Sequence, residues 1–355
     1  LDQMAITKFG ISSKNLMGEA GRNVSKFIKD NIKNIKSVGI VAGKGNNGGD
    51  GFASALHLKE LNPIVSHMYH EKTFTHETAY YFNQCKDMGI NVQFNEEPIE
   101  IENIQLTIDS ILGIGVSGYI RNPLDRWIDQ INKHESKILS VDIPTGINAD
   151  TGWFDMGVKA DKTITMGFEK TGMSFYPGRD NCGEIIVSDI GFPKISSSLS
   201  GILWEQYDEK HAQSFLQPPP KNSYKHSQGK VLVIAGSLGM SGAAILCASA
   251  ALKSGAGLVK MCIPESLNTI IESSFTEGIT VPCRDRHLGI LGEKNLEEIE
   301  KCIEWCDSII IGPGMGTHKE TIKLIDRILK ISNKPTVVDA DALTALSEND
   351  GVSAL

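Results

Sequence analysis

The sequence predicts an α/β protein of two domains: a Rossmann-like doubly wound sheet first, and a second α/β domain after it. Three observations carry this. The 355 residues exceed a usual single domain and set a prior of about two. Short apolar runs alternate with amphipathic stretches, the pattern of β-α-β units whose strands are buried on both faces. The alternation breaks once, at "PKISSSLSG" and "FLQPPPKNSYK", where serine and proline runs favour extended linker backbone, and then restarts. We place the boundary near residue 205, giving domains 1–205 and 206–355.

In order, residues 1–32 read as two helices separated at Gly10, and "SVGIVAG" as a buried strand. Residues 51–61 follow as a helix with Phe52, Ala55 and Leu56 on one face and Lys59 and Glu60 on the other. "PIVSHMY" is a strand and "HETAYYFNQCKDMG" a helix closed by Gly89. "IQLTIDSILGIG" and "KILSVDIPTG" are strands around a helix near 123–134, and "DKTITMGF" and "GEIIVSDIGF" end the unit. In the second half "GKVLVIAG" and "AGLVKMCIP" are strands. "SGAAILCASAALKSG" and "NLEEIEKCIEWC" are helices. "SIIIGPGMG" and "KPTVVDADAL" are strand-turn units.

Composition excludes several classes. A net charge of −8 does not suit a general nucleic-acid binder, which needs a basic surface. No apolar run reaches the roughly 18–20 residues that span a bilayer, and the N-terminus shows no signal-peptide pattern. Residues are expected to precede Leu1, since no initiator Met is present. Seven scattered cysteines point to a reducing, cytoplasmic setting and not to a disulfide framework. Cys302 and Cys306, one helical turn apart, are expected to be core thiols.

The chemistry concentrates in three loops at carboxyl ends of strands, where open α/β sheets place ligands. The first, "AGKGNNGGDGF", carries Gly43, Gly45 and Gly48 in a G-x-G-x-x-G pattern. Its glycines expose backbone N–H groups at a helix start, a site for phosphate; as a bland alternative, Asp50 caps the helix. A hydride-transfer site also wants an acid about 20 residues on, and Glu71 falls late for it. Asn46, Asn47 and Asp50 add more polar groups than a turn requires. The second loop, "DSILGIGVSGY", is led by Asp109, and the third, "VDIPTG", holds Asp142 and Thr145. A lone strand-end aspartate usually braces a loop; three such loops together suggest a site.

"GKGNNGGDG", "DSILGIGVSG" and "VDIPTGINADTG", with "LMGEAG" before them and "ADKTITMGFEKTG" after, resemble the NAD(P)H-hydrate epimerase domain over roughly residues 1–200. "GKVLVIAGSLGMSGAA", "ALKSGAGLVKM", "IIIGPGMG" and "VVDADAL" resemble the ADP-dependent NAD(P)H-hydrate dehydratase domain, which has a ribokinase-like fold. In this order the two are similar to the bifunctional nicotinamide nucleotide repair family. The resemblance implies that Asn46, Asn47, Gly48, Gly49 and Asp50 bind the hydrated dinucleotide. So would the loop Gly113, Ile114, Gly115, Val116, Ser117, Gly118 and Tyr119, and Asp142. It implies a potassium ion on Asn47, Asp109 and Thr145. In the second domain it implies substrate contact at Ala243, nucleotide approach at Gly314 and Gly316, and use of ADP and Mg2+.

Departures accompany the resemblance. Gly18 stands where relatives carry Glu, and "YKHSQG" keeps only Lys225 of a His-Lys-Gly motif. The later H-P-G-E and G-T-G-D motifs do not occur before Leu355. The dehydratase half is therefore expected to be incomplete in this chain, inactive unless Asp339 or Asp341 supplies a base. A half-sheet with an uncovered edge also predicts a homo-oligomer. Epimerisation at C6 needs a group that protonates the departing hydroxyl and recovers the proton from water. Asp142, best served by a pKa raised through burial, is the candidate, with pure ribose or ring binding as its alternative role. A nicotinamide-dependent oxidoreductase and a non-catalytic nucleotide-binding scaffold are the competing functions.

Overall fold

A computed structural model describes residues 10–98, 104–192, 207–215 and 218–348. The first helix read within residues 1–9 and most of the linker at 193–206 lie outside the described residues. The chain divides into two units, Leu1–Gln206 and Tyr207–Leu355.

Helix α1 (Ser13–Asn31) starts at Ser12, whose hydroxyl accepts from the Asn15 N–H at 3.2 Å. It buries Leu16, Met17, Ala20, Val24 and Ile28 along one stripe. Then come β1 (Val38–Ala42), α2 (Asn46–His57), β2 (Ile64–His67), α3 (His76–Asp87), β3 (Asn91–Phe94), β4 (Leu106–Ser110), α4 (Leu124–Lys133), β5 (Lys137–Val141) and β6 (Lys162–Met166). The short helices α5 (Thr171–Ser174) and α6 (Gly178–Cys182) precede β7 (Glu184–Ser188). The sheet order is β3-β2-β1-β4-β5-β6-β7, every pair parallel. The order reverses between β1 and β4, the switch point at which open α/β sheets bind ligands.

β1, β4 and most of β5 are buried along their length because helices cover both faces. Val24, Phe52, Phe82 and Ile108 belong to the core under α1, α2 and α3; Trp127, Ile128 and Ile131 of α4 pack on the other face. β3 has no counterpart in the sequence reading. It is an edge strand, "NVQF", with no fully buried residue, and so lacks the apolar run that marks its neighbours.

In the second unit α7 (Glu209–Phe215), β8 (Lys230–Ile234), α8 (Ser241–Lys253), β9 (Leu258–Pro264), α9 (Asn268–Ser274), β10 (Ile279–Cys283), α10 (Leu296–Trp305), β11 (Ser308–Ile311), α11 (Lys319–Ile331), β12 (Thr336–Val338) and α12 (Asp341–Glu348) follow in turn. The all-parallel sheet has the order β10-β9-β8-β11-β12. Leu232 and Ile234 belong to the core beneath α10 and α11. Val233, between them, points to the opposite face against α8 and α9. Cys302 and Cys306 are both buried in the first of these cores. Among the described residues no helix is long and apolar enough to cross a membrane.

Candidate functional site

The first glycine loop is tighter than its sequence suggests. The helix expected over 51–61 begins at Asn46, with Gly45 as its N-cap, so Asp50 lies within the helix and does not cap it. The glycines serve close packing more than turn geometry. A Cβ at Gly48 would overlap the Gly43 carbonyl, one at Gly51 the Ser110 hydroxyl, and one at Gly49 the Met17 thioether. A Cβ at Gly43 would overlap the Ile111 carbonyl, and the Gly43 N–H donates to Ser110 O at 3.0 Å. The β1–α2 turn is thus nested directly on the loop after β4. The N–H groups of the first turn of α2 have no carbonyl one turn back, which leaves them for an anion.

Asn46 is exposed, its Oδ1 accepting from the Thr75 hydroxyl at 3.3 Å. Asn47 is buried, and its Nδ2 donates to Leu112 O at 2.9 Å. Its Oδ1 is buried with no hydrogen-bond partner among the described residues. Asp109 at the end of β4 is fully buried. Its Oδ1 accepts from the Thr145 hydroxyl at 2.6 Å; its Oδ2 accepts from the Ser140 hydroxyl at 2.8 Å and from the Thr145 N–H at 2.9 Å. Burial pushes the Asp109 carboxyl above its ordinary range, against these hydrogen bonds. The Leu112 N–H donates to Thr145 Oγ1 at 3.0 Å, so Asn47, Asp109 and Thr145 are joined through one residue.

This arrangement fits a weakly charged cation. The donors are amide, hydroxyl, carbonyl and carboxylate oxygens, and Asn47 Oδ1 is the orphaned atom that such an ion would satisfy. Among the described residues no group of three His, Cys, Asp or Glu side chains is placed to hold a metal, so an ion here would meet one carboxylate, Asp109, with neutral oxygens for the rest.

Gly113 stands between this cluster and Asp142: a Cβ on it would lie 3.4 Å from Asn47 Cβ and 3.8 Å from Asp142 Oδ2. Beyond it Ile114, Gly115, Ser117, Gly118 and Tyr119 are exposed, while Val116 is buried and its carbonyl accepts from Asn148 Nδ2 at 3.0 Å. Asp142 follows β5 directly and has φ +67°, a left-handed conformation uncommon outside glycine that tends to gather at functional sites.

Lys170 is the residue that the sequence reading missed. Its ammonium forms an ion pair with Asp142 Oδ1 and donates to Thr165 Oγ1 at 2.7 Å and to Met166 O at 3.3 Å. Both side chains are mostly buried, at 17% and 16% exposure. The only sequence signal was its place in "GFEKTG", 28 residues from its partner.

Glu71, the candidate ribose acid of a hydride-transfer site, sits in a single 3-10 turn after β2 and pairs at the surface with Lys86 at 3.5 Å. That removes the support for an oxidoreductase beyond the glycine pattern itself.

In the second unit the structure brings Ala243 and Gly314 together. Gly314 has φ +64°, and a Cβ on it would lie 2.8 Å from Ala243 Cβ; its carbonyl accepts from the Ser237 hydroxyl at 2.9 Å. The Gly316 N–H donates to Asp341 Oδ2 at 2.7 Å. These loops follow β8 and β11, which flank that sheet's switch point.

Residues 13–172 match the family described as YjeF-related protein N-terminus, and residues 231–355 match the NAD(P)H-hydrate dehydratase family. A bifunctional NAD(P)H-hydrate repair enzyme Nnr of Dictyoglomus turgidum is 31% identical over 98% of this chain and 69% of that protein. The chain belongs to the bifunctional NAD(P)H-hydrate repair enzymes. A member of the same name from Archaeoglobus fulgidus is 33% identical, with 94% and 68% covered; one from Thermofilum pendens is 30% identical, with 98% and 67% covered. The three loops of the first unit, and in the second the start of α8 with Ala243 and the Gly314 loop, fall in the two matched segments.

Proposed function

We propose that the first unit interconverts the R and S forms of hydrated NADH and NADPH at C6, and that the second belongs to an ADP- and Mg2+-dependent dehydratase acting on the S form. The Asp142–Lys170 pair carries the epimerase reading. It puts a proton donor and a compensating carboxylate side by side, next to the Gly113 loop.

The reaction inverts one carbon without redox. The ring nitrogen's electron pair pushes toward C6 as the C6–O bond breaks, and the Lys170 ammonium delivers a proton so that water leaves. The resulting iminium is cationic, and Asp142 stabilises it electrostatically. Water then adds to the opposite face, and its proton returns to the pair. Asp142 and the Thr165 hydroxyl orient the Lys170 ammonium, and its longest contact, to Met166 O at 3.3 Å, is the one that the substrate hydroxyl would replace to take the proton. The first turn of α2 holds a phosphate of the dinucleotide through backbone N–H groups. A potassium ion held by Asn47, Asp109 and Thr145 would supply positive charge beside that phosphate and the buried Asp109. In the second unit the backbone at Gly314 and Gly316 would admit a nucleotide, with Ala243 at the substrate. The odd number and scattered spacing of the cysteines suit a reducing, cytoplasmic setting.

The test is to incubate a single epimer of hydrated NADPH with the chain in potassium chloride and to follow the epimer ratio chromatographically. Conversion faster than in buffer alone is expected; a ratio that changes no faster than in buffer overturns the proposal.

A further inference from the structure

Tyr119 and Trp153 are large aromatic side chains left 75% and 42% exposed. They sit on the loops that follow β4 and β5, the same loops that carry Gly113 and Asp142. Their rings meet edge to face, with centroids 5.6 Å apart and planes at 89°. This geometry leaves ring face uncovered and makes a right-angled aromatic corner.

The corner is held by side-chain ties to backbone. Asn148 Nδ2 donates to Val116 O at 3.0 Å, and the Asp155 carboxylate accepts from the Ile120 N–H at 3.2 Å, so the two loops are tied on both sides of the pair. The Trp153 carbonyl accepts from the Asn148 N–H at 3.0 Å. Gly152, with φ +72°, packs so closely on the Gly172 and Phe175 carbonyls that a Cβ would lie 2.6 and 2.8 Å from them. Trp153 is therefore anchored to the segment just after Lys170. Core packing explains neither the exposure of the two rings nor their fixed placement.

We propose that Trp153, with Tyr119 as its side wall, is a stacking subsite for a planar heterocycle of the dinucleotide substrate. This rests on the repair reading above and adds a specificity-determining residue to it. Stacking is tolerant of ring identity because every base presents a π-face, so adenine and nicotinamide share the required chemistry and two probes separate them.

The experiment uses the purified chain and its Trp153→Ala and Trp153→Phe variants. Indole fluorescence is titrated with adenosine monophosphate and, separately, with nicotinamide mononucleotide; epimerisation kinetics are measured on hydrated NADPH. At least one probe should quench the parent, and that probe names the ring. Trp153→Phe should lose the quench but keep a near-parental KM, because phenylalanine still stacks. Trp153→Ala should raise KM about tenfold with kcat retained. Parental KM in Trp153→Ala, or the same quench in Trp153→Phe as in the parent, overturns the subsite while leaving the epimerase reading intact. So does a Trp153→Ala variant whose only change is in self-association. A parent that neither epimerises the hydrate nor binds either probe overturns both.

Discussion

The ammonium of Lys170 rests on the carboxylate of Asp142, with the Thr165 hydroxyl and the Met166 carbonyl accepting further hydrogen bonds from it. Asp142 belongs to the turn after β5, and Lys170 to the segment after β6. The pair exists only because β5 and β6 are parallel neighbours, which brings the two strand ends to the same edge of the sheet.

Replacing Lys170 by Met removes the proton donor and leaves Asp142 without its charge partner. Epimerisation should fall by about 100-fold or more, and Lys170→Arg should restore little, since guanidinium is a poor proton donor. Initial rates, with melting temperature as the folding control, check this. A Lys170→Met rate within twofold of the parent would remove Lys170 from the chemistry.

The buried Asp109 makes stability depend on pH and on potassium. Burial raises its folded pKa above the unfolded value. The folded state therefore holds more protons between the two values, and stability falls as pH rises from about 4 through the folded pKa. A cation on Asn47, Asp109 and Thr145 offsets that loss. Melting temperature should decline with pH in choline chloride, less so in potassium chloride, and in neither salt for Asp109→Asn. Identical pH profiles for the parent in both salts would count against the ion.

A methyl group at Gly43 would have to displace the Ile111 backbone, which cannot yield without opening the β1–β4 switch point. Gly43→Ala should cost roughly 3 kcal/mol of stability and weaken dinucleotide binding. Urea unfolding measures the first effect and calorimetric titration the second; a parental midpoint would show that the nesting is loose.

Gly314→Ala tests the second unit in the same way. The φ of +64° and the Ala243 contact oppose a side chain, at about 1–3 kcal/mol from the backbone conformation. ADP with Mg2+ should raise the melting temperature of the parent but not of the variant. An equal rise in both would move the nucleotide elsewhere.

The alternation of strands and helices was legible because strands such as β1 and β4, covered on both faces, read as apolar runs. β3 and β10 were not, because edge strands such as "NVQF" and "ITVPC" carry mixed residues that no helix fully covers. α11 was passed over because it lies between two glycine- and proline-marked strand ends that drew the reading. The start of α2 was misplaced because Gly48, Gly49 and Gly51 read as turn residues, whereas Gly43, Met17 and Ser110 press on them from other elements; tertiary packing overrode propensity. The Asn47, Asp109 and Thr145 grouping was legible only through resemblance, and the structure joins them through Leu112. Lys170 had no spacing signal at all, since its partner lies one β-strand away in space and 28 residues away in sequence.

The most direct measurement runs the epimerisation of one hydrated NADPH isomer in 18O-labelled water with the parent and with Asp142→Asn. Loss of water to an iminium and its return predict that the parent inverts C6 and takes up solvent oxygen together, and that Asp142→Asn, with unchanged melting temperature, does neither. Parental inversion by Asp142→Asn, or inversion without oxygen uptake in the parent, would contradict the account.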